Sequence, residues 1–295
     1  MLRLFITLFM LLALPFCAQG EAVQIQHNGL HLNAEYNQVN ADLNAPVVLL
    51  THGTLAYNGM EIIESFSGLL NEAGYNTLSI TLSLGLDDRH GMYDCAVPHT
   101  HRHTDAMDEI GLWVGWLKHK GVKHIVLLGH SRGGNQTAWY AAEHAAPEID
   151  KVVLVAPMTW SANKQAQDYA KSYHTELAPV YAKAKALVDA GIGDTPMRRV
   201  GFIYCKDAVV SAAAFENYYR NEPRFDTPSL LDAIKVPVLI ITGSADTTVA
   251  DVAAKVAALG PSERRRLLVI DGADHFFRDL YADDAIAAVD EFIQE

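Results

Sequence analysis

The chain has 295 residues, half of them hydrophobic, so it is long enough for one large domain with an insertion or for two small ones. Its formal net charge of -12 leaves no excess of basic residues for holding phosphates, which argues against nucleic acid as a partner. The same balance slightly disfavours anionic substrates, although local fields at a pocket can override a global sum.

The first 20 residues have the pattern of a secretory signal peptide. Arg3 precedes an apolar run over residues 4–16, and Ala18-Gln19-Gly20 supplies small residues where a signal peptidase cleaves. The apolar run is shorter than the roughly 20 residues that span a bilayer. We therefore expect cleavage after Gly20, an exported (periplasmic or secreted) protein, and no stable membrane span in the mature chain.

The mature chain, residues 21–295, alternates between short apolar runs and segments with helical spacing. An antiparallel hairpin is predicted around the turn Asn28-Gly29. Strands are predicted at 47–51, 77–80, 126–129, 152–156, 238–243 and 267–270, and the runs at 47–51, 126–129 and 152–156 have the pattern of buried strands. Helices are predicted at about 62–70 and 105–120, after the glycine-flanked serine as far as residue 146, in an alanine-rich segment that ends at residue 259, and at 282–293. This alternation predicts an α/β fold with a mostly parallel central sheet and helices on both faces.

Two segments interrupt the alternation. Residues 83–103 have turn residues and no clear period, which is typical of a loop. Residues 158–233 are helix-prone, polar and rich in tyrosine, and we predict that they form a helical insertion over one end of the sheet. Cys95 and Cys205 would remain after signal cleavage, and the sequence leaves open whether they form a disulfide or stay as two buried thiols.

A glycine-flanked serine follows the predicted strand at 126–129. The spacing Gly129-x-Ser131-x-Gly133 is that of a nucleophile elbow, a tight strand-to-helix turn that holds a serine hydroxyl outward. Side chains two positions before and two after the serine would collide, so both flanking positions have a steric reason to be glycine. Ser131 is therefore the candidate nucleophile.

Two further candidates follow other predicted strands. Asp246 comes after the strand at 238–243, and His275 comes after the strand at 267–270. Residues beyond the carboxyl ends of parallel strands can converge although they are far apart in sequence. A serine needs a base with a pKa near neutrality, which His275 would supply, and Asp246 would fix the tautomer of that imidazole. Asp271 and Asp274 are rival acids, but both lie too close to His275 in sequence to face it easily.

The chain resembles the α/β-hydrolase superfamily, in its serine esterase, lipase and peptidase branch. The resemblance covers nearly the whole mature chain and rests on four short motifs in order: His52-Gly53-Thr54, Gly129-His130-Ser131-Arg132-Gly133-Gly134, Gly243-Ser244-Ala245-Asp246 and Gly272-Ala273-Asp274-His275. It implies that residues 158–233 form a cap that shapes the substrate pocket. By position, the backbone N–H groups of Thr54 and Arg132 would form the oxyanion hole, with Leu55 as an alternative to Thr54.

The alternating histidines His99, His101 and His103 form the strongest competing motif. An extended segment would put them on one side, as a zinc site could use. A complete catalytic triad of serine, histidine and aspartate needs no metal, however. The preferred interpretation is that these histidines belong to a loop beside the pocket and that their protonation affects activity. We assign no metal ligands and no cofactor.

The sequence thus predicts an exported serine hydrolase that forms an acyl-enzyme on Ser131 and acts on a small carboxylic ester or related acyl substrate. A thioesterase or a peptidase with the same triad is one alternative. A metal-dependent hydrolase that uses His99, His101 and His103, or a ligand-binding protein of the same fold without turnover, are the others. The acyl specificity and the oligomeric state are left open.

Overall fold

A computed structural model describes residues 20–42 and 44–295. The predicted signal peptide lies outside the described residues except for Gly20, so its prediction remains untested. Within the described ranges, every helix is too short or too polar to cross a membrane.

The strands confirm the predicted α/β class. They are β1 (Glu21–His27), β2 (Leu30–Asn37), β3 (Val47–Thr51), β4 (Asn76–Thr81), β5 (Ile125–His130), β6 (Ile149–Val155), β7 (Pro196–Phe202), β8 (Cys205–Ser211), β9 (Val238–Gly243) and β10 (Arg265–Ile270). Eight of them form one sheet in the order β1-β2-β4-β3-β5-β6-β9-β10. The pairs β1–β2 and β2–β4 are antiparallel, and the remaining pairs are parallel. Every residue of β3, β4, β5 and β9 is buried, as expected for strands covered on both faces.

The described residues form eight α-helices: α1 (Glu61–Glu72), α2 (Asp105–His119), α3 (Arg132–Glu143), α4 (Ala162–Tyr173), α5 (Leu177–Asp189), α6 (Ala212–Tyr219), α7 (Val252–Ala258) and α8 (Leu280–Gln294). Helices α1, α2, α3, α7 and α8 cover the faces of this sheet. Helices α1 and α8 pack together, as do α2 and α3. The helices beside the sheet are amphipathic and bury an apolar stripe; in α2 this stripe includes Ile110, Trp113 and Leu117.

The segment between β6 and β9 leaves the sheet and contains more than the predicted helices. It holds α4, α5 and α6, two short 3₁₀ turns (Pro223–Phe225 and Thr227–Ala233), and the antiparallel hairpin of β7 and β8. This hairpin was not predicted from the sequence. Its pairing shifts register twice, and Arg199, Ile203 and Asp207 adopt positive φ, so neither strand shows the regular alternation that marks a hairpin in a sequence.

The loop at 83–103 is fastened to that hairpin. His99 forms a parallel bridge with Val210 of β8: its N–H donates to the carbonyl of Val209 at 2.8 Å, and its own carbonyl accepts from the N–H of Ser211 at 2.9 Å. Cys95 and Cys205 form a disulfide, with their Cα atoms 5.3 Å apart. Of the two alternatives that the sequence left open for the cysteines, the structure therefore shows the disulfide.

Candidate active site

The predicted elbow is a sharp turn between β5 and α3. Ser131 occupies it with φ of 58° and ψ of -122°, a region that residues with a side chain rarely adopt. A Cβ atom on Gly133 would lie 2.1 Å from the carbonyl oxygen of His52, and one on Gly129 would lie 2.5 Å from that of Gly133. The two flanking glycines are thus required by close backbone packing, as the sequence analysis predicted.

The structure brings Ser131, His275 and Asp246 together from the ends of three different strands. His275 Nε2 lies 2.9 Å from Ser131 Oγ, and His275 Nδ1 lies 2.8 Å from Asp246 Oδ2. All three residues are buried. A proton on Nδ1 of His275 is held by the carboxylate, which leaves Nε2 as the acceptor that faces the serine hydroxyl.

Asp246 is held in its charged form. Burial alone would raise the pKa of this carboxyl, but the hydrogen bond with His275 and those from the backbone N–H groups of Val249 and Thr248 outweigh burial and keep the pKa below its usual value. Those backbone groups bind Oδ1 at 3.0 and 2.7 Å, so Oδ2 is left to accept from His275. The carboxylate is therefore fixed in both orientation and charge.

The rival acids have other partners. Asp271 accepts a hydrogen bond from Ser244 Oγ at 2.8 Å. Asp274 accepts from the N–H of Phe276 at 2.8 Å and pairs with Arg278 at 3.2 Å. Within the described part of the chain, Asp246 is the carboxylate that contacts the His275 ring.

The loop after β3 lies beside Ser131, where an oxyanion hole would form. Thr54 and Arg132 both line the cavity above the serine, whereas Leu55 does not line it, is buried and has φ of 56°. Arg132 Nε donates to Thr54 Oγ1 at 3.0 Å, so a side-chain bond joins the two predicted donor residues.

Buried groups behind this loop hold it in place. The imidazole of His52 donates through Nδ1 to the carbonyl of Gly53 at 2.8 Å and accepts at Nε2 from the N–H of Leu82 at 3.0 Å. Burial lowers the pKa of His52 to about 3, so the ring is neutral. Arg89 donates to the carbonyls of Ala56 and Leu82 at 2.7 and 2.8 Å. Arg89 was not predicted as a supporting residue, because an arginine in a loop normally faces solvent and nothing in the sequence marks this one as buried.

His130, the residue before the nucleophile, lies beneath the elbow. Its Nε2 donates to the carbonyl of His275 at 2.9 Å, and the two rings are 4.9 Å apart. Burial lowers the pKa of His130 to about 3. A neutral His130 thus supports the loop that carries His275.

A cavity of about 230 Å³ opens above Ser131, and its walls come largely from the segment between β6 and β9. Several aromatic side chains line these walls, among them Trp160, Tyr169, Tyr173, Tyr218, Tyr219 and Phe225. A small organic group with an apolar or aromatic body fits such a lining.

The three histidines of the competing motif are buried and do not converge on one point. His99 Nδ1 lies 3.2 Å from His101 Nε2, and His101 Nδ1 lies 2.8 Å from the hydroxyl of Tyr218. His103 instead binds Asn135 Oδ1 through Nε2 at 3.0 Å. In the described chain, no cluster of three or more His, Cys, Asp or Glu side chains has the geometry to hold a metal ion.

The pKa values of these histidines also oppose a pH-sensitive role near neutrality. Burial lowers the pKa of His99 to about 4 and holds those of His101 and His103 well below their usual value. All three are therefore neutral in the folded protein. The predicted link between protonation of this loop and activity is not supported by the structure.

Comparison with known proteins agrees with this architecture. A family described as the alpha/beta hydrolase fold matches residues 46–279. Among solved structures, Est1E from Butyrivibrio proteoclasticus is similar with a TM-score of 0.64 and 21% identity over 94% of this chain and 98% of that one. A monoacylglycerol lipase from Paleococcus ferrophilus has a TM-score of 0.60 and 19% identity over 89% and 98% of the two chains.

A curated relative matches a shorter stretch. The protein named "Putative esterase/lipase 3" in Mycoplasma pneumoniae is 41% identical over 51 residues, which are 17% of this chain and 18% of that protein. This match spans less than a fifth of the relative's length.

Proposed function

Since the chain belongs to the alpha/beta hydrolase fold family, we propose that it is a serine hydrolase that cleaves carboxylic esters through an acyl-enzyme on Ser131. One observation carries this proposal: the continuous hydrogen-bonded chain from Ser131 Oγ through the His275 ring to Asp246, at the floor of a cavity. Such a chain supplies what a neutral hydroxyl lacks as a nucleophile, namely a positioned base.

In the first half of the reaction, Ser131 Oγ attacks the carbonyl carbon of the ester while His275 Nε2 takes the hydroxyl proton. The imidazolium that forms is stabilised by the Asp246 carboxylate, which stays ionised. When the tetrahedral intermediate collapses, His275 returns the proton to the departing alkoxide, and the alcohol leaves. Water then attacks the acyl-enzyme by the same route, with His275 as base, and releases the carboxylic acid.

The negative oxygen of the tetrahedral intermediate needs donors fixed in advance. We assign this role to the backbone N–H groups of Thr54 and Arg132. Thr54 is favoured over Leu55 because Thr54 lines the cavity and is tied to Arg132 through its side chain. A donor of this kind contributes about 3 to 4 kcal/mol to transition-state stabilisation.

Esters are the proposed substrates on two grounds. The named relatives are an esterase/lipase and a lipase, and a structure similar to this chain, with a TM-score of 0.66, is of ferulic acid bound to Est1E. The aromatic cavity walls also suit the apolar part of a small acyl ester. The segment at about 158–233 would then act as the cap that selects the substrate. A thioester or a peptide bond would use the same chemistry and is the alternative within this mechanism.

We also propose that the protein is exported, with residues 1–20 as a cleaved signal peptide. The Cys95–Cys205 disulfide supports this, because such bonds persist mainly in oxidising compartments. Mass spectrometry of the protein recovered from the native cell envelope or medium should show a new N-terminus at Glu21. An intact Met1 on the mature protein would contradict export by this route.

A fluorophosphonate probe tests the catalytic proposal. The probe should label the wild-type protein at Ser131 and leave Ser131→Ala unlabelled. Ser172→Ala is the matched control, since Ser172 also lines the cavity but is exposed, and it should be labelled as well as the wild type. A folded wild-type protein that resists the probe and hydrolyses no short ester would overturn the proposal. Ester turnover that survives Ser131→Ala but is lost with a chelator would favour the metal-dependent alternative.

A further inference from the structure

Arg132 contributes a cation to the wall of the cavity next to the nucleophile. Its side chain is half-buried and lies against Tyr218, with the guanidinium carbon 5.3 Å from the ring centroid. Nε donates to Thr54 Oγ1 at 3.0 Å, and Nη1 lies 3.2 Å from His103 Nδ1. These contacts hold the side chain in one orientation.

Both of its hydrogen-bond partners are uncharged. Asn135 donates through its amide nitrogen to Thr227 Oγ1 at 3.1 Å and to the carbonyl of Arg224 at 2.9 Å, so its oxygen is free to accept. His103 must therefore donate to Asn135 through Nε2, which leaves its Nδ1 as an acceptor for Arg132. Buried neutral groups thus position the guanidinium without neutralising its charge.

No Asp or Glu of the described chain forms an ion pair with Arg132. The other cation that lines the cavity, Lys164, is exposed and already pairs with Asp168 at 2.7 Å. The other described arginines without an acidic partner differ from Arg132. Four of them are exposed: Arg102, Arg198, Arg199 and Arg264. Arg89 is buried, and its guanidinium is bound to backbone carbonyls and to the neutral His52 ring. Arg132 alone among the described arginines combines partial burial, a cavity position and no counter-ion.

A guanidinium has five N–H donors, and the protein uses two of them here. Nη2 has no protein partner within the described residues, and its plane presents the paired donors that match a carboxylate. Removing such a cation from water without a counter-ion is unfavourable unless a ligand supplies one. We propose that Arg132 is an anion-binding subsite and that the substrates are esters that carry a carboxylate, held by the Arg132 guanidinium while Ser131 attacks the ester carbonyl.

The rest of the cavity is consistent with this substrate class. Aromatic walls cover the apolar body of the substrate, and Arg132 binds its charged end. The chain is acidic as a whole, with a formal net charge of -12. A single fixed cation inside a partly desolvated cavity acts at short range, so the local field decides which substrate binds there.

This inference rests on the proposed ester hydrolysis. Two esters that differ only in charge distinguish a failure of the anion subsite from a failure of the proposed hydrolysis. Mono-4-nitrophenyl glutarate carries a carboxylate, and its primary-amide analogue has the same size without the charge. We expect wild type to hydrolyse the carboxylate ester with a kcat/KM at least tenfold higher. Arg132→Gln keeps a donor for Thr54 or His103 but loses the charge. It should lower kcat/KM for the carboxylate ester 10- to 100-fold more than for the amide analogue, and the ratio of the two losses is the readout, because residue 132 also belongs to the proposed oxyanion hole.

Two variants serve as controls. Arg132→Lys keeps the charge without the paired donors and should retain part of the preference, whereas Lys164→Gln removes the paired cation of the same cavity and should leave the preference unchanged. Equal turnover of both esters by wild type would overturn the anion subsite while leaving the proposed function intact. An equal loss on both esters in Arg132→Gln would assign Arg132 a structural role and likewise overturn the subsite.

Binding supplies a readout that does not depend on turnover. In Ser131→Ala, calorimetry should show that monomethyl glutarate binds at least tenfold more tightly than its amide analogue, and Arg132→Gln in the same background should abolish the difference. Charge-selective binding by a protein that hydrolyses neither ester would support the subsite and reject the hydrolase function. Equal binding of the two compounds would overturn the subsite.

Discussion

The floor and the walls of the cavity are built by different physical means. The floor consists of Ser131, Asp246 and His275, each placed after the carboxyl end of a strand in the parallel part of one sheet. The walls come largely from the segment between β6 and β9, and the loop at 83–103 supports this segment from behind through a disulfide and side-chain contacts. Backbone geometry therefore fixes the reacting groups, whereas side-chain packing fixes the shape around them.

In the proposed mechanism, this difference would allow substrate choice to change while the chemistry stays constant. A floor residue has no alternative position, because moving it would disrupt a strand end in the core. A wall residue such as Tyr218 contacts its neighbours through its ring and hydroxyl, so a substitution reshapes the cavity without breaking the sheet. We expect variants of the floor to lose activity or the fold, and variants of the walls to lose stability or selectivity by smaller amounts.

The largest effect is expected at the acid of the floor. Asp246→Asn removes the charge that stabilises the His275 imidazolium and favours the wrong tautomer, so kcat for a short 4-nitrophenyl ester should fall about 10⁴-fold. The controls are the rival acids: Asp271→Asn and Asp274→Asn should stay within about threefold of wild type, a margin of under 1 kcal/mol. A larger loss in either control than in Asp246→Asn would assign the acid differently.

The next largest effect is expected from a methyl group at the elbow, which should reduce the stability of the fold. The Cβ of Gly133→Ala would lie 2.1 Å from the carbonyl oxygen of His52, which is backbone and cannot move aside. The free energy of unfolding should fall by more than about 4 kcal/mol, measured by urea denaturation. Gly68→Ala in α1 meets open space and should raise stability by about 0.5 to 1 kcal/mol. A Gly133→Ala protein as stable as wild type would show that the elbow tolerates a side chain.

The disulfide should have an intermediate effect on the walls. It joins residues 110 positions apart, and replacing both cysteines in Cys95→Ser/Cys205→Ser should cost about 3 to 4 kcal/mol. Reducing agent should lower the melting temperature of wild type and leave that of the double variant unchanged. Fluorophosphonate labelling of Ser131 should persist in both, because the floor does not depend on the bond. Loss of labelling on reduction would show that floor and walls are coupled more tightly than the geometry indicates.

The smallest effect is expected from Glu109, which anchors the start of the loop at 83–103. Its carboxyl accepts from the N–H of Ser83 at 2.7 Å and from Ser83 Oγ at 2.5 Å, and burial raises its pKa to about 7 from the ordinary value of 4.5. The folded chain thus favours the protonated form, and the resulting stabilisation is complete below pH 4.5 and lost as pH rises through 7.

Glu109→Gln imitates the protonated form at every pH. Between pH 5 and pH 8, wild type should lose roughly 2 kcal/mol more stability than Glu109→Gln, as measured by urea unfolding. The comparison between the two proteins removes the contribution of other titrating groups. Parallel pH profiles for both would show that Glu109 is ionised across this range.

The floor was predictable from the sequence because each of its residues follows an apolar run within one to five positions. The strand at 47–51 and the turn at Ser131 were predicted with their observed positions, since continuous burial and steric crowding leave a direct trace in the sequence. The tight turn from strand to helix at Ser131 leaves no room for side chains at the two flanking positions, so the glycines there identified the turn in the sequence.

The walls were less predictable because their contacts join residues far apart in the chain. His101 binds Tyr218, which lies 117 positions later, and His103 binds Asn135. From sequence alone, the alternating histidines suggested one shared face and a zinc site as a competing hypothesis. Their actual partners are set by how the loop docks on the hairpin of β7 and β8, which has no regular sequence pattern.

The place of Arg132 directly after Ser131 has a consequence for how this protein could be altered. In the proposed mechanism, the backbone N–H of residue 132 serves the chemistry, and every amino acid except proline supplies it. The side chain of the same residue would decide the charge of the substrate. Selectivity at this position can therefore be redesigned, or can drift over evolution, without loss of the catalytic donor, so a small library at residue 132 is an economical route to hydrolases for neutral esters.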